Sequence, residues 1–169
     1  MTREAEPLGG GKGEMVLRPL EEGDVLLVAL WLNRDPLRKW FGDPEDWLSE
    51  IREREGRFSF LRHFVALLGE DPVGFCQYYR CADADEEVYR SFPREGTYSV
   101  DYGLGDAACL GKGLGRELVR CLSERVLSLP DARRIVVAPD RENEASRRTL
   151  LRCGFVLDEE RGVFVKERD

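Results

Sequence analysis

Apolar and polar positions change rhythm along this chain, and the changes mark its elements. Met15 to Pro19 reads as a strand, and Val25 to Leu32 as a helix with an apolar stripe of Leu26 and Leu30 beside Val25, Ala29 and Leu32. A charged helix follows over Glu45 to Glu55, most of its charges facing water. Two β-rich runs, Phe58 to Leu68 and Val73 to Arg80, flank the polar turn Gly69-Glu70-Asp71-Pro72 and predict an antiparallel hairpin. Periodicity is lost from Cys81 to Gly96, a long acidic loop, and returns in the strand Thr97 to Leu104. An amphipathic helix over Arg116 to Leu129 and a short strand over Arg133 to Val137 come next. Asn143 to Cys153 predicts a helix capped by Asn143 and stopped by Gly154, before closing strands at Phe155 to Leu157 and Val163 to Val165.

Where strand gives way to helix stands Leu110-Gly111-Lys112-Gly113-Leu114-Gly115. Glycines let backbone N–H groups converge on one point, and the following helix adds unpaired donors and the positive end of its dipole. Taken alone, such a run reads either as an ordinary tight turn or as a loop that holds phosphate, a pyrophosphate above all. It is not a Walker A loop, because Lys112 lies between glycines with no Ser or Thr after it, and its Gly-x-Gly-x-Gly spacing misses the dinucleotide fingerprint.

Strand alternation puts Thr97, Ser99, Asp101 and Gly103 on one face of their strand and Tyr98, Val100 and Tyr102 on the other. An acid is disfavoured inside a strand, so Asp101 marks an open cleft or a pairing with arginine. Other side chains each carry two readings. Trp40, Phe41 and Trp47 lie among Asp43, Glu45 and Asp46, and either pack on the sheet with the acids solvated or form an aromatic and acidic wall of an acceptor pocket; Gln77 points into a cleft or lies at an edge. Glu86 and Glu87 line a pocket or are solvated with the rest of their loop. His63 reads as a structural residue.

Bulk properties narrow the function. The chain has 169 residues and a net charge of −7, which opposes nucleic acid and anionic membrane partners and favours a cationic one. No apolar run is long enough to cross a bilayer, and the five cysteines lack the spacing of a disulfide framework, so the reading is cytoplasmic. With His63 the sole histidine, no metal site is expected. Residues 1–14 read as a flexible tail and 15–169 as one domain.

The glycine loop with Glu117-Leu118-Val119-Arg120, and Asn143-Glu144-Ala145-Ser146 running to Cys153-Gly154-Phe155, resemble the GNAT N-acetyltransferases, and within them the aminoglycoside 6′-N-acetyltransferase group. The resemblance extends over nearly the whole chain from Met15. It implies an α/β (α+β) fold: one mixed, mostly antiparallel sheet of about seven strands flanked by about four helices, its central strands splayed around acetyl-CoA. It implies acetyl-CoA as cosubstrate, with Leu110, Gly111, Lys112, Gly113, Leu114 and Gly115 at the pyrophosphate and an oxyanion donor near Leu104. Asn143 either reaches the pantetheine or only caps its helix. Asp101 is implied to bind the acceptor cation and take its proton, with Trp40, Gln77, Glu86, Glu87 and Asp140 around it.

The implied acceptor is a polycationic small molecule, the 6′-amine of an aminoglycoside first, acted on by a monomer or homodimer. Siderophore-type acylation, peptide or protein N-terminal acylation, and a non-catalytic binding module are the competing expectations. Three departures bear on them. Leu110 replaces the Gln or Arg that opens the loop in many relatives, Leu150 replaces a Tyr that protonates the leaving thiolate, and Ala138 replaces an Asp before the turn proline.

Overall fold

The computed structural model describes residues 14–169; the tail expected over 1–14 lies, apart from Glu14, outside the described residues. Seven strands form one sheet in the order β1-β2-β3-β4-β5-β7-β6. They are β1 Met15–Pro19, β2 Arg62–Leu68, β3 Asp71–Arg80, β4 Thr97–Leu104, β5 Arg134–Val137, β6 Val156–Asp158 and β7 Val163–Glu167. Only β4 and β5 run parallel; the other neighbours are antiparallel. The mixed, mostly antiparallel sheet expected from the sequence is therefore the one that forms.

Helices α1 Val25–Leu32, α2 Leu37–Phe41 and α3 Pro44–Arg52 pack with the sheet face of Val65 and Phe75. Helices α4 Leu114–Leu127 and α5 Glu144–Arg152 cover the opposite face, where Tyr98, Val100 and Leu104 meet Leu118, Val119, Leu122, Val126 and Leu150. Burying each such aliphatic side chain contributes about 1.5–3 kcal/mol over leaving it exposed. The aromatic stretch splits into α2 and α3 because Gly42, at φ +74°, ends one helix. Asp43 then caps the next, accepting from the Glu45 N–H at 3.0 Å.

Three boundaries or faces differ from the sequence reading. The first hairpin strand begins at Arg62 rather than Phe58, because residues 53–61 turn back on themselves through bonds such as Phe58 N–H to Glu53 O. The second begins at Asp71, paired with Leu68, and a bulge at Ala66/Leu67 lets Pro72, which has no N–H, enter the ladder. Helix α1 buries Val28, Trp31 and Leu32 and packs Val25 and Ala29 partly on the core, while Leu26 and Leu30 of the expected stripe are 84% and 52% exposed. Its sequence is apolar on all sides, so periodicity carries no face and the packing partners choose one.

The sheet is open along one line. Strands β4 and β5 pair only at Thr97↔Arg134 and Tyr98↔Ile135. Gly105 N–H donates to Val73 O at 2.9 Å, so by alternation Gly103, Asp101 and Ser99 exchange their backbone bonds with β3. The N–H groups of Val100, Tyr102 and Leu104 therefore face the β5 side, beyond the last residue paired there.

Strand β4 also accepts close cover. A Cβ on Gly103 would land on the Leu37 side chain and 3.3 Å from the Phe41 ring. Gly103→Ala is expected to lower stability by about 1–3 kcal/mol, read as a shift in the denaturant midpoint; an unchanged midpoint would show that α2 yields freely.

Candidate active site

Side-chain alternation on β4 builds the site. Asp101 projects to the α1–α3 face beside Ser99, and Tyr102 to the α4–α5 face beside Val100. Asp101 is half-buried, and its partner is not the arginine the sequence allowed but Gln77 from the neighbouring strand, at the paired register position. Gln77 Nε2 donates to Asp101 Oδ2 at 2.8 Å, while Gln77 Oε1 is buried without a partner. Burial pushes the Asp101 carboxyl up to about 6; the Gln77 bond holds it down in part, and the charge of Glu86 adds to the rise.

Around Asp101 opens a cavity of ≈ 500 Å³ walled by the carboxylates of Asp46, Glu50, Asp83, Asp85 and Glu86. Among the described residues, no Lys or Arg lines it. Burial first, then Asp101, Asp46 and Glu86, raises the Glu50 carboxyl to about 7. Glu86 is raised by its own burial. The loop that lost periodicity is anchored, since Tyr89 is buried and its hydroxyl bonds Ser99 Oγ at 2.9 Å and the Tyr79 hydroxyl at 3.3 Å.

The sequence-derived residues divide accordingly. Glu86 and Gln77 reach this cavity; Glu87, one residue on, is exposed and lines none of the site's cavities. A smaller cavity of ≈ 150 Å³ shares Trp47, Tyr89, Asp101 and Ala138 with the acidic one and forms its join with the glycine-loop groove, and Trp40 stands at that join. Asp140 is exposed at the acceptor rim, its Oδ1 taking the Glu142 N–H at 2.9 Å. His63 is buried, stacked on Phe75, and pushed down to about 4 by burial first and then by Arg54. Asp46, one of the acids set beside the aromatic stretch, lines the acidic cavity, and Glu50 is a site residue the sequence reading missed: it lies on α3, whose charges looked like a solvated face.

On the other side of the join runs a groove of ≈ 370 Å³ along the open line of the sheet. Leu104, Leu110, Gly111, Gly113, Leu114 and Gly115 line it. Gly111 and Gly113 hold φ of +74° and +76°, the left-handed region where only glycine sits without strain. Gly113 is the N-cap of α4, which begins at Leu114 rather than Arg116, so Gly115 lies in its first turn. Lys112 is exposed and does not line the groove, whereas Arg116 and Arg152, unnoticed in the sequence, do. Asn143 caps α5, its Oδ1 accepting the Ser146 N–H at 3.2 Å, and it borders the groove and the smaller cavity beside it. Glycine N–H groups, a helix N-terminus and two guanidinium groups make a cradle that fits a pyrophosphate.

A groove fit for an anion and an acidic cavity thus meet where the parallel pair splays apart. Residues 21–163 match the acetyltransferase (GNAT) domain family, and the chain belongs to it. It is a GNAT N-acetyltransferase, an enzyme class that uses acetyl-CoA. Among its relatives is the aminoglycoside N(6′)-acetyltransferase type 1 of Klebsiella pneumoniae, 28% identical over 147 residues, which are 83% of this chain and 73% of that protein. A kanamycin resistance protein of Rhizobium radiobacter is 37% identical over 60 residues, 36% of this chain and 56% of that one. The crystal structure of aminoglycoside acetyltransferase AAC(6′)-Ib with coenzyme A and kanamycin superposes with a TM-score of 0.78 at 26% identity, over 92% of this chain and 95% of that one.

Proposed function

We propose that this enzyme acetylates an amine of a polycationic acceptor from acetyl-CoA, the 6′-amine of an aminoglycoside first among them. The carrying observation is the ring of carboxylates around Asp101 with no cation among the residues that line it. Such a pocket attracts a polyamine and repels anions. The relatives named for aminoglycoside acetylation, and the kanamycin-bound neighbour, support the same acceptor class. Five free cysteines support a reducing, cytoplasmic setting.

The residues divide the chemistry as follows. Leu110, Gly111, Gly113, Leu114, Gly115, Arg116 and Arg152 hold the pyrophosphate of acetyl-CoA. The N–H groups of Val100, Tyr102 and Leu104 face the open line, where a carbonyl oxygen accepting one of them is stabilised as negative charge develops on it. Asp101 attracts the ammonium and, as carboxylate, takes the proton that frees the nitrogen lone pair; Gln77 fixes its orientation.

Thiol release from acetyl-CoA tests this with a 6′-amino aminoglycoside, its 6′-hydroxy analogue, lysine and a peptide amine. Turnover is expected on the 6′-amino compound and not on the 6′-hydroxy one. Turnover confined to lysine or the peptide would move the acceptor to another class. In the same assay Glu50→Gln with Glu86→Gln should raise the acceptor KM about ten-fold, some 1.4 kcal/mol of lost attraction, and leave kcat little changed. An unchanged KM would mean the carboxylates do not meet the acceptor.

A further inference from the structure

The smaller cavity joins the acceptor cavity to the cosubstrate groove: Asp101 borders it on the acceptor side, and Trp40, Phe41, Tyr102, Asn143 and Ser146 border both it and the groove. A thioester whose CoA end lies in the groove and whose acyl carbon faces the acceptor must sit at that join. Its sulfur, on the groove side, leaves with an electron pair and needs a donor. The hydroxyls at the join are those of Tyr102 and Ser146, and they bond each other at 2.6 Å.

Either hydroxyl can donate in that bond. The Ser146 N–H is already engaged by Asn143 Oδ1, and the Ser146 Oγ lies against the Tyr102 hydroxyl. With the Ser146 O–H donated to the phenol oxygen, the phenol proton is free to point into the join. Burial raises the Tyr102 phenol well above its ordinary value, so it stays a neutral donor at working pH. Leu150, on the same helix as Ser146, is fully buried and has nothing to donate.

We infer that Tyr102 donates a hydrogen bond to the departing sulfur of the thioester, and that Ser146 positions it for this. The inference rests on acetyl transfer taking place at this join. The amine nitrogen forms a bond to the acyl carbon, its proton goes to Asp101 and then to water, and the C–S bond breaks with its electron pair on sulfur. The thiolate is held by the phenol O–H and later takes a proton from solvent. Adjacent residues of one strand thus serve opposite faces of the reaction, Asp101 the nucleophile and Tyr102 the leaving group.

Single-turnover rates of the whole chain test the assignment, with acetyl-CoA and with its selenoester analogue, whose more acidic selenol leaves without help. Tyr102→Phe should lower the rate with acetyl-CoA by about 10- to 100-fold, the range of a hydrogen bond to a charged group, at nearly unchanged acetyl-CoA affinity. With the selenoester the penalty should largely vanish. Ser146→Ala should give a smaller loss with the same dependence on donor. An equal penalty with both donors would show a displaced site, and no penalty would remove Tyr102 from the chemistry; either overturns the inference. A parent chain that acetylates no amine would instead overturn the acetyl-transfer reading itself, before any variant is compared.

Discussion

Asp101→Asn is expected to lower kcat/KM toward a cationic amine by about 10²–10⁴-fold while acetyl-CoA binding is retained. Asparagine preserves the shape and the bond from Gln77 but cannot take a proton or hold an ammonium by charge. The parent rate should rise with pH through about 6, where the Asp101 carboxyl ionises, and that limb should disappear in the variant. Stability should move the other way. The folded carboxyl titrates at about 6 against 3.8 ordinarily, so its favourable contribution is present below 3.8 and lost as pH rises through 6. Above pH 6 the charged Asp101 costs stability that asparagine does not, so the variant should melt higher than the parent at pH 7 and lose that advantage near pH 4. A variant that keeps parental turnover would remove Asp101 as the base.

The second large effect belongs to the glycine loop. Gly113→Val is expected to weaken acetyl-CoA binding by about 10- to 100-fold, measured by titration calorimetry. Gly113 holds φ +76° at the N-cap of α4, and a β-branched residue there must either bear the strain or swing the first-turn N–H groups off the phosphate. Lys112→Ala, in contrast, should change the affinity little, since Lys112 is exposed and lines no part of the groove. Unchanged binding in Gly113→Val would show that the pyrophosphate is held elsewhere.

What the sequence reveals here is what is local. The glycine loop is legible because its spacing and the helix after it are consecutive in the chain, and Asp101 because strand alternation isolates a charge. Asn143 is legible as a cap for the same reason. Glu50 is not: its meeting with Asp101 joins α3 to β4, and a charged helix face gives no hint of which acid will be covered. Arg116 and Arg152 are hidden likewise, since the groove is closed by two helices from distant parts of the chain. Tyr102 shares alternation with Tyr98 and Val100 and so counts as core; only Ser146, brought in by α5, makes its hydroxyl visible. The face of α1 is legible only in part: Leu32, Val25 and Ala29 pack inward as expected but Leu26 and Leu30 do not, because a segment apolar all round has no preferred side until packing partners choose one.

The open line between β4 and β5 has a mechanical meaning. It divides the sheet into two leaves, β1 to β4 and β5 to β6, stitched edge to edge by only two residue pairs at one end. Helix α4 spans the division, packing on β4 of one leaf and β5 of the other, and so acts as the hinge plate. A ligand lodged in the line fastens the leaves from the opposite side, turning a seam closed at one end into one closed at both. At a hundred times its dissociation constant such a fastening adds about 2.7 kcal/mol to the folded state. With acetyl-CoA placed in that line as proposed, the enzyme is expected to melt highest when its donor is bound and lowest in the interval after product departs.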